Sequence, residues 1–252
     1  MDGFHGNYEF KIVEEIGGGT FGFVEKVELF NVAGNRCGYY ARKSLKELGA
    51  ELQDQFKRRF AREVTYQASC VHKNIVNVYL CNLRVEQPWF IMDLAEADLH
   101  KDLLSNSMGI EDKISALNMI FEGVIYMHGR GFLHRDLKPF NVLRFAGNVY
   151  KISDFGLVKN LDKERESELI TKMMDDGMGT PYFMSPEARV GVYSPQSDIY
   201  ALGLIMDLME FPSSQSLSKI FQKSTMHRPG DRYSTVTEMY SDFAKASSEL
   251  IP

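Results

Sequence analysis

Cysteine is scarce in this sequence, and it has no long apolar segment. The three cysteines among its 252 residues are Cys37, Cys70 and Cys81. Their odd number and irregular spacing match neither a disulfide framework nor a zinc site, so we expect reduced thiols in a cytoplasmic protein. The longest apolar candidate, residues 201–211, contains two carboxylates and is shorter than the roughly 18 residues that a membrane helix needs. We therefore expect no membrane span.

Excess charge of one sign is also small. The formal net charge is −5 at pH 7, which predicts no general attraction to nucleic acid or to an anionic membrane. The first five residues, Met-Asp-Gly-Phe-His, lack the basic and apolar leader of a secreted protein. With 44% hydrophobic residues, the chain can form one substantial core or two small lobes, and we expect no separate regulatory domain within it.

The first third of the chain has the pattern of short strands broken by glycines. Strands are predicted at residues 8–16, 23–30, 38–43, 76–82 and 89–93. One helix is predicted among them at residues 51–69, because Phe56, Phe60 and Val64 recur at near-helical spacing. Its polar surface carries Lys57, Arg58, Arg59 and Arg62. This basic cluster fits either a solvated helix face or a surface for an acidic partner.

Beyond residue 94 the pattern becomes helical. Helices are predicted at residues 98–105, 110–129, 195–210, 217–223 and 234–250. Strands first and helices second indicate an α+β protein of two lobes, joined by a short hinge at residues 93–97. The sequence has no internal repeat and no low-complexity tract.

A glycine-rich segment lies between the first two long predicted strands. Residues 17–24 read Gly-Gly-Gly-Thr-Phe-Gly-Phe-Val and fit the pattern G-x-G-x-x-G-x-V. Glycines let backbone amides approach phosphate oxygens, although a glycine-rich turn without a ligand has the same appearance. A dinucleotide site is disfavoured because a strand, not a helix, follows. The next predicted strand carries Ala41-Arg42-Lys43.

A second group of motifs supplies reactive side chains. Residues 134–141 read His-Arg-Asp-Leu-Lys-Pro-Phe-Asn, and Asp154-Phe155-Gly156 begins thirteen positions after Asn141. Together they offer a base, a cation and two oxygen donors of the type that Mg²⁺ prefers. A single aspartate could instead be a turn former. The whole set suits phosphoryl transfer.

With the glycine loop and Lys43, these motifs resemble the eukaryotic-type (Hanks-type) serine/threonine protein kinase family over nearly the whole chain. The resemblance implies a bilobal protein kinase fold: a small antiparallel sheet lobe with one helix at residues 1–94 and a larger, mainly helical lobe at residues 95–252. It also implies ATP and Mg²⁺ as cofactors and transfer of the γ-phosphoryl group to serine or threonine hydroxyls of proteins, with autophosphorylation.

Four catalytic residues follow from the resemblance. Asp136 is the expected base for the attacking hydroxyl, and Lys138 is expected to offset charge on the transferring group. Lys43 is expected to hold the α and β phosphates, with Glu63 as its orienting anion. An exposed Glu63 that pairs with Arg59 one helical turn away is the alternative.

The resemblance also implies the nucleotide and metal sites. Metal ligands are expected to be Asn141 and Asp154. The nucleotide-binding residues are expected to be Ile16, Gly17, Gly19, Gly22, Val24, Ala41, Lys43, Met92, Asp93, Ala95, Leu143 and Asp154. Each apolar member of this set could equally be ordinary core.

Residues 179–187 resemble the peptide-docking loop of the family, with Ser185 where alanine is more usual. Glu187 is expected to pair with Arg232, and Asp198 is expected to tie a buried helix to the catalytic loop. This segment favours a protein substrate, because related small-molecule phosphotransferases generally lack it.

Two features depart from the family pattern. Only 34 positions separate Asp198 from Arg232, so the region after the central helix is shortened and a substrate-docking helix is reduced to about residues 217–223. Gln67 stands where the family normally has an apolar side chain. Since burial of an unpaired amide costs about 1–3 kcal/mol, either Gln67 finds a partner or the packing there is looser.

The activation segment suggests a hypothesis about control. Arg135 is typical of kinases whose loop is ordered by a phosphate, and Arg59 and Lys159 could converge on the same place. Asp176, four residues before Thr180 and next to Asp175, could supply the negative charge permanently, although with less charge than a phosphate. In the alternative, this is a solvated acidic turn and the phosphorylated residue is Thr171 or Ser167.

Three further interpretations stay open. The chain could be a catalytically silent kinase fold that serves as a scaffold or allosteric activator, although Lys43, Glu63, Asp136, Asn141 and Asp154 are all present. It could phosphorylate tyrosine or a small molecule, although a lysine at position 138 is typical of serine/threonine kinases. Control by a regulatory partner protein is also possible.

Overall fold

A computed structural model of the chain describes residues 3–19, 22–47, 49–160 and 181–250. It has two compact units. The first consists of Met1–Val71, Ile75–Ala95 and Asp154–Gly156. The second consists of His72–Asn74, Glu96–Ser153 and Leu157–Pro252. The short segment Asp154–Gly156 thus belongs with the N-terminal unit, although it follows a strand of the other.

The first unit contains a six-stranded antiparallel sheet. Its strands are β1 (Gly3–His5), β2 (Tyr8–Gly18), β3 (Gly22–Asn31), β4 (Arg36–Leu45), β5 (Val78–Asn82) and β6 (Trp89–Met92). They lie in the order β1-β2-β3-β4-β6-β5. Five side chains form the buried cluster of this sheet, and they are Phe10, Val27, Leu29, Trp89 and Ile91. Most of β3 alternates buried and partly exposed residues, as expected for a strand with one face on a core.

One long helix, α1 (Ala50–Ser69), packs on this sheet. Phe60 and Val64, one helical turn apart, are both buried, and the ring centroid of Phe60 is 5.5 Å from that of Phe90 on β6. Glu63 lies between these two residues in sequence and is also buried. The helix therefore directs a carboxylate toward the interior of the unit.

The second unit is mainly helical. Its helices are α2 (Leu99–Ser105), α3 (Ile110–Gly129), α4 (Pro195–Asp207), α5 (Gln215–Ser224) and α6 (Val236–Ser248). The core forms where α3 meets α6, with the ring centroids of Phe121 and Phe243 5.4 Å apart. Both rings are fully buried. The α4 helix begins with Pro195 at its first position, where the missing N–H costs nothing.

The two-lobed α+β kinase fold predicted from the sequence is confirmed, with differences at element ends. The helix predicted at residues 195–210 ends at Asp207, and the one predicted at 217–223 extends over Gln215–Ser224. That helix packs against both α4 and α6, with Leu217 and Ile220 buried.

The second unit is mainly helical, as predicted, but it also contains short strands that the sequence pattern after residue 94 did not indicate. They are β7 (Ala97–Asp98), β8 (Phe132–Leu133), β9 (Val142–Phe145), β10 (Val149–Ile152) and β11 (Lys159–Asn160). The hairpin of β9 and β10 turns at Gly147 and Asn148, both with positive φ. The connection is three residues long, 146–148, and a short connection that contains glycine between two strand-like runs is a signal that predicts a hairpin.

Candidate active site

Lys43 on β4 lies between two carboxylates of the first unit. Its Nζ is 2.5 Å from Oε1 of Glu63 on α1 and 3.2 Å from Oδ1 of Asp154. Glu63 is 5% exposed, so the alternative of a solvated pair with Arg59 is wrong. Burial alone would lower the pKa of Lys43, but the charges of Asp154 and Glu63 outweigh it and raise the pKa. Lys43 is therefore held as a cation.

The register of the sheet sets the neighbours of Lys43. Val24 on β3 lies opposite Lys43, and Gly17 on β2 lies opposite Val24. Ala41 lies opposite Met92 on β6. Residues opposite one another in antiparallel strands share a face, so Val24 and Ala41 share the face of Lys43. Ala41 and Met92 are buried.

The glycine loop has both constrained and open positions. A Cβ at Gly22 would lie 2.9 Å from the carbonyl oxygen of Ser44, so packing requires glycine there. A Cβ at Gly17 or Gly19 would meet nothing within 4 Å among the described residues, and neither has a positive φ. Neither packing nor backbone conformation explains these two glycines, whereas an approaching phosphate would. Ile16 beside them is 45% exposed.

The side chain of Asp93 is fixed at the start of the expected hinge. Its Oδ1 accepts a hydrogen bond from the Tyr79 hydroxyl at 2.5 Å, and its Oδ2 accepts from the backbone N–H of Asn77 at 3.3 Å. Ala95, two residues later, is the last residue of this part of the first unit. Leu143 on β9 belongs to the second unit, where it pairs with Asp98 and Lys151.

The loop with the proposed base lies in the second unit. Lys138 Nζ donates to Asp136 Oδ2 at 2.8 Å, and Asn141 Nδ2 donates to the same oxygen at 3.0 Å and to the Asp136 backbone oxygen at 2.8 Å. The structure therefore brings Asp136, Lys138 and Asn141 together, and their catalytic and metal-binding roles stay predictions.

Asp198 on α4 anchors this loop. Its carboxylate accepts hydrogen bonds from the backbone N–H groups of His134 and Arg135, both at 2.9 Å, and lies 2.8 Å from His128 Nε2. Burial alone would raise the pKa of Asp198, but the hydrogen bond and charge of His128 lower it overall. Arg135 has a positive φ of 70°, a conformation that such backbone contacts stabilise. The predicted link between the buried helix and the loop is confirmed.

Glu187 and Arg232 form the second predicted pair. Arg232 Nη1 donates to Glu187 Oε1 at 2.8 Å, and Nη2 donates to Oε2 at 2.9 Å. The hydroxyls of Ser185 and Ser197 donate to Oε1 at 2.7 and 3.0 Å. In the sequence, Ser185 differed from the usual alanine, but its hydrogen bond to Glu187 was not predicted. Burial would raise the pKa of Glu187, but the Arg232 and Ser185 hydrogen bonds lower it to about 2.

Comparison with known proteins agrees with this geometry. The family model described as the protein kinase domain matches residues 10–250. The chain belongs to the protein kinase family. The family membership predicted from the motifs is confirmed. Members of this family generally use ATP and Mg²⁺.

Bacterial serine/threonine-protein kinases are among its relatives. PknD of Chlamydia pneumoniae is 28% identical over 256 residues, which cover 79% of this chain and 28% of PknD. PrkC of Bacillus subtilis is 29% identical over 227 residues, which cover 77% of this chain and 34% of PrkC. The probable kinase PknB of Lactococcus lactis is 28% identical over 95% of this chain and 42% of its own length. The chain thus spans less than half the length of each of these three relatives.

Gln67 partly resolves the question that the sequence left open. It is 1% exposed, and its Nε2 donates to the backbone oxygen of Val76 at 3.1 Å. Its Oε1 has no hydrogen-bond partner among the described residues. The amide therefore satisfies its donor side only.

Parts of the predicted phosphate pocket can be located. Arg135 lies with its guanidinium carbon 3.9 Å from the centroid of the Tyr193 ring. Arg59 donates to a backbone carbonyl, described below. Asp175, Asp176, Thr171 and Ser167 lie outside the described residues, as does the side chain of Lys159.

The donor chemistry fits the magnesium and nucleotide that this family uses. Carboxylate and amide oxygens of Asp154 and Asn141 are hard ligands, and Gly17 and Gly19 leave space that a side chain would fill. Among the described residues, no group of three or more His, Cys, Asp or Glu side chains could hold a metal ion by itself. Mg²⁺ in kinases is bound by one or two protein side chains together with substrate phosphates, so this finding is compatible with it.

No helix in the described part of the chain is long and apolar enough to cross a membrane.

Proposed function

We propose that this chain is an ATP-dependent serine/threonine protein kinase that transfers the γ-phosphoryl group to hydroxyls of protein substrates, with autophosphorylation. The observation that carries the proposal is the contact of Lys43 Nζ with both Glu63 and Asp154. A partly buried ammonium held by two carboxylates, one from a helix and one from a motif 111 residues away, has no evident structural need. It is the arrangement that a phosphate-binding lysine requires.

Each proposed residue has a defined task. Lys43 binds the α and β phosphates while Glu63 orients it. Asp136 accepts the proton of the substrate hydroxyl, and Lys138 offsets charge on the transferring group. Asn141 and Asp154 hold Mg²⁺, which when bound offsets the phosphate charge. Adenine contacts are proposed for Ile16, Val24, Ala41, Met92 and Leu143, with the hinge backbone from Asp93 to Ala95.

The segment at residues 179–187 that resembles a peptide-docking loop, together with the Glu187–Arg232 pair, favours a protein substrate. Glu187 fixes the end of the segment that resembles a peptide-docking loop, through a bidentate pair with Arg232. We propose residues 1–94 and 95–252 as the two lobes of one kinase domain. A cytoplasmic location is also proposed, supported by the small number of cysteines, three among 252 residues, and by their irregular spacing.

A catalytically silent scaffold is the second candidate. It would keep the fold and could keep nucleotide binding, but it would have no use for Asp136 held by both Lys138 and Asn141. A tyrosine or small-molecule kinase is a third candidate. A regulatory partner protein is compatible with all of them.

The test uses the purified chain and an Asp136→Asn control, each incubated with labelled ATP, Mg²⁺ and a generic basic protein. Labelled residues are then mapped by mass spectrometry. We expect label on serine or threonine that is lost in the control. Label on tyrosine alone would overturn the proposed specificity. Absence of label together with ATP-dependent thermal stabilisation would favour the scaffold.

A further inference from the structure

Both backbone polar groups of Gly156, the last residue of the Asp154–Gly156 segment, make hydrogen bonds to side chains. Its backbone oxygen accepts a hydrogen bond from Arg59 Nε at 2.8 Å. Its N–H donates to Asp154 Oδ1 at 3.4 Å. A Cβ at Gly156 would lie 3.2 Å from Asp154 Oδ1, 3.4 Å from Glu63 Oε2 and 3.6 Å from Arg59 Nη2. This glycine therefore lies among three charged side chains of the first unit.

These contacts form a closed ring. Glu63 contacts Lys43, and Lys43 contacts Asp154. Two residues further along the backbone, Gly156 accepts a hydrogen bond from Arg59, which lies on the same helix as Glu63. Arg59 and Glu63 are four residues apart on α1, which places them on one face of the helix. Two side chains of one helix thus contact the Asp154–Gly156 segment. Glu63 does so indirectly, through Lys43, and Arg59 does so directly.

The neighbouring Arg58 makes its hydrogen bond within α1 and not to another segment. Arg58 Nε donates to the backbone oxygen of Asp54 at 3.3 Å, within α1 itself, and the Arg58 side chain is exposed. Arg59 crosses 97 positions of sequence to reach its acceptor and is partly buried. The predicted basic cluster of α1 therefore contains at least one member with a specific acceptor in another segment.

The backbone of the segment needs such support. Asp154 has a φ of 61°, in the left-handed region that residues other than glycine rarely adopt. A residue in this conformation persists when surrounding contacts fix it. Two contacts of this type are the ion pair of Lys43 with the Asp154 carboxylate and the Arg59 hydrogen bond to the Gly156 carbonyl.

We propose that Arg59 is a positioning residue that, by holding the Gly156 carbonyl, keeps the Asp154 carboxylate oriented for Mg²⁺ and phosphate. The proposal rests on the proposed kinase function for its catalytic consequence. Arg59 makes no proposed contact with nucleotide, metal or substrate. Its contact also couples the position of α1 to that of Asp154, because the Arg59 bond is lost when the helix moves away from Gly156.

The test compares Arg59→Met, Arg59→Lys and Arg58→Met in the full chain. Methionine keeps an unbranched apolar stem without donors, lysine retains one donor, and Arg58→Met removes a charge from the same helix without touching Gly156. Hydrogen exchange of residues 150–158 is measured without nucleotide. Initial rates are measured against ATP and against Mg²⁺.

We expect Arg59→Met to raise exchange at residues 155 and 156 about 10-fold, the scale of one charge-assisted hydrogen bond. The Mg²⁺ concentration for half-maximal rate should rise by a similar factor, Arg59→Lys should recover part of both losses, and Arg58→Met should match the wild type. Wild-type exchange and Mg²⁺ dependence in Arg59→Met would overturn the proposal, as would equal effects in Arg58→Met.

Two further safeguards keep the outcomes distinct. If Arg59→Met does not fold, Arg59→Gln takes its place, because its shorter side chain cannot reach the carbonyl; unchanged exchange in that variant would overturn the proposal. If the wild-type chain transfers no phosphate, the proposed function fails, yet exchange at Gly156 still decides whether Arg59 holds this segment.

Discussion

Gly203 of α4 and Ser224 of α5 are in such close contact that a Cβ at position 203 would lie 2.2 Å from Ser224 Oγ. The same Cβ would lie 3.0 Å from Ser224 Cβ and 3.1 Å from Thr225 Cγ2. Rotation of the Ser224 hydroxyl would therefore not relieve the contact. The absence of a side chain at Gly203 allows α5 to pack on the central helix in the shortened region of this kinase.

Gly203→Ala is therefore expected to destabilise the protein. In an unconstrained helix this change stabilises by up to about 1 kcal/mol, but overpacking at this contact should cost about 1–3 kcal/mol and reverse the sign. The measurement is denaturant unfolding. Gly129→Ala at the end of α3, where a Cβ meets nothing within 4 Å, is the matched control and should stabilise. Stabilisation by both substitutions would contradict the packing argument.

Glu187 predicts a pH dependence of stability. Its pKa falls from 4.5 to about 2 in the folded chain, where Arg232 and Ser185 hydrogen-bond the ionised form. A lowered pKa contributes stability that is complete above the unfolded pKa and is lost as the pH falls through the folded pKa. The difference in free energy of unfolding between wild type and Glu187→Gln should be constant above about pH 5 and shrink toward pH 2.

This difference is measured by urea unfolding at a series of pH values. Glu86→Gln removes one exposed carboxylate from a loop and controls for the general effect of charge. A Glu187→Gln difference that stays constant down to about pH 2 would show that the Arg232 pair does not hold the carboxylate ionised.

Two buried serines should respond oppositely to alanine. Ser44 on β4 is 3% exposed, and its Oγ has no hydrogen-bond partner among the described residues. Ser185 is 1% exposed and donates to Glu187. Ser185→Ala should cost about 1–3 kcal/mol, whereas Ser44→Ala should be neutral or stabilising, because it removes an unsatisfied hydroxyl. Thermal unfolding of the two variants gives the comparison; an equal loss in both would contradict it.

The sequence predicted elements and pairs that depend on strong local signals or on the family motifs. The strands around the glycine loop, the helix with Glu63, and the Glu187 and Asp198 contacts are of this type. The Arg59 bond to Gly156 was missed because the family position of Arg59 indicated a phosphate pocket, and no local pattern indicates a backbone acceptor 97 positions away. Gln67 was undecidable because its acceptor, Val76, is set by the turn between α1 and β5.

Asp198→Asn tests whether the buried helix sets the geometry of the catalytic loop. The carboxylate accepts from the backbone N–H groups of His134 and Arg135 through different oxygens, and His128 lies beside one of them. Asparagine has one acceptor oxygen, so its amide nitrogen would face an N–H donor and the loop would shift. We expect a loss of about 2–4 kcal/mol in the free energy of unfolding and a kcat at least about tenfold lower.

The KM for ATP should change less than kcat in this variant, because Lys43 and the glycine loop lie in the first unit, whereas Asp198 and Asp136 lie in the second. Asp207→Asn, an exposed aspartate on the same helix, controls for loss of charge and should match the wild type in stability and rate. A variant Asp198→Asn that loses stability but keeps its kcat would show that the anchor supports the fold without positioning Asp136. A fall in kcat together with a rise in the KM for ATP would show that the substitution disturbs nucleotide binding as well as the catalytic loop. Comparison of the two constants therefore separates a local effect on Asp136 from a general effect on the enzyme.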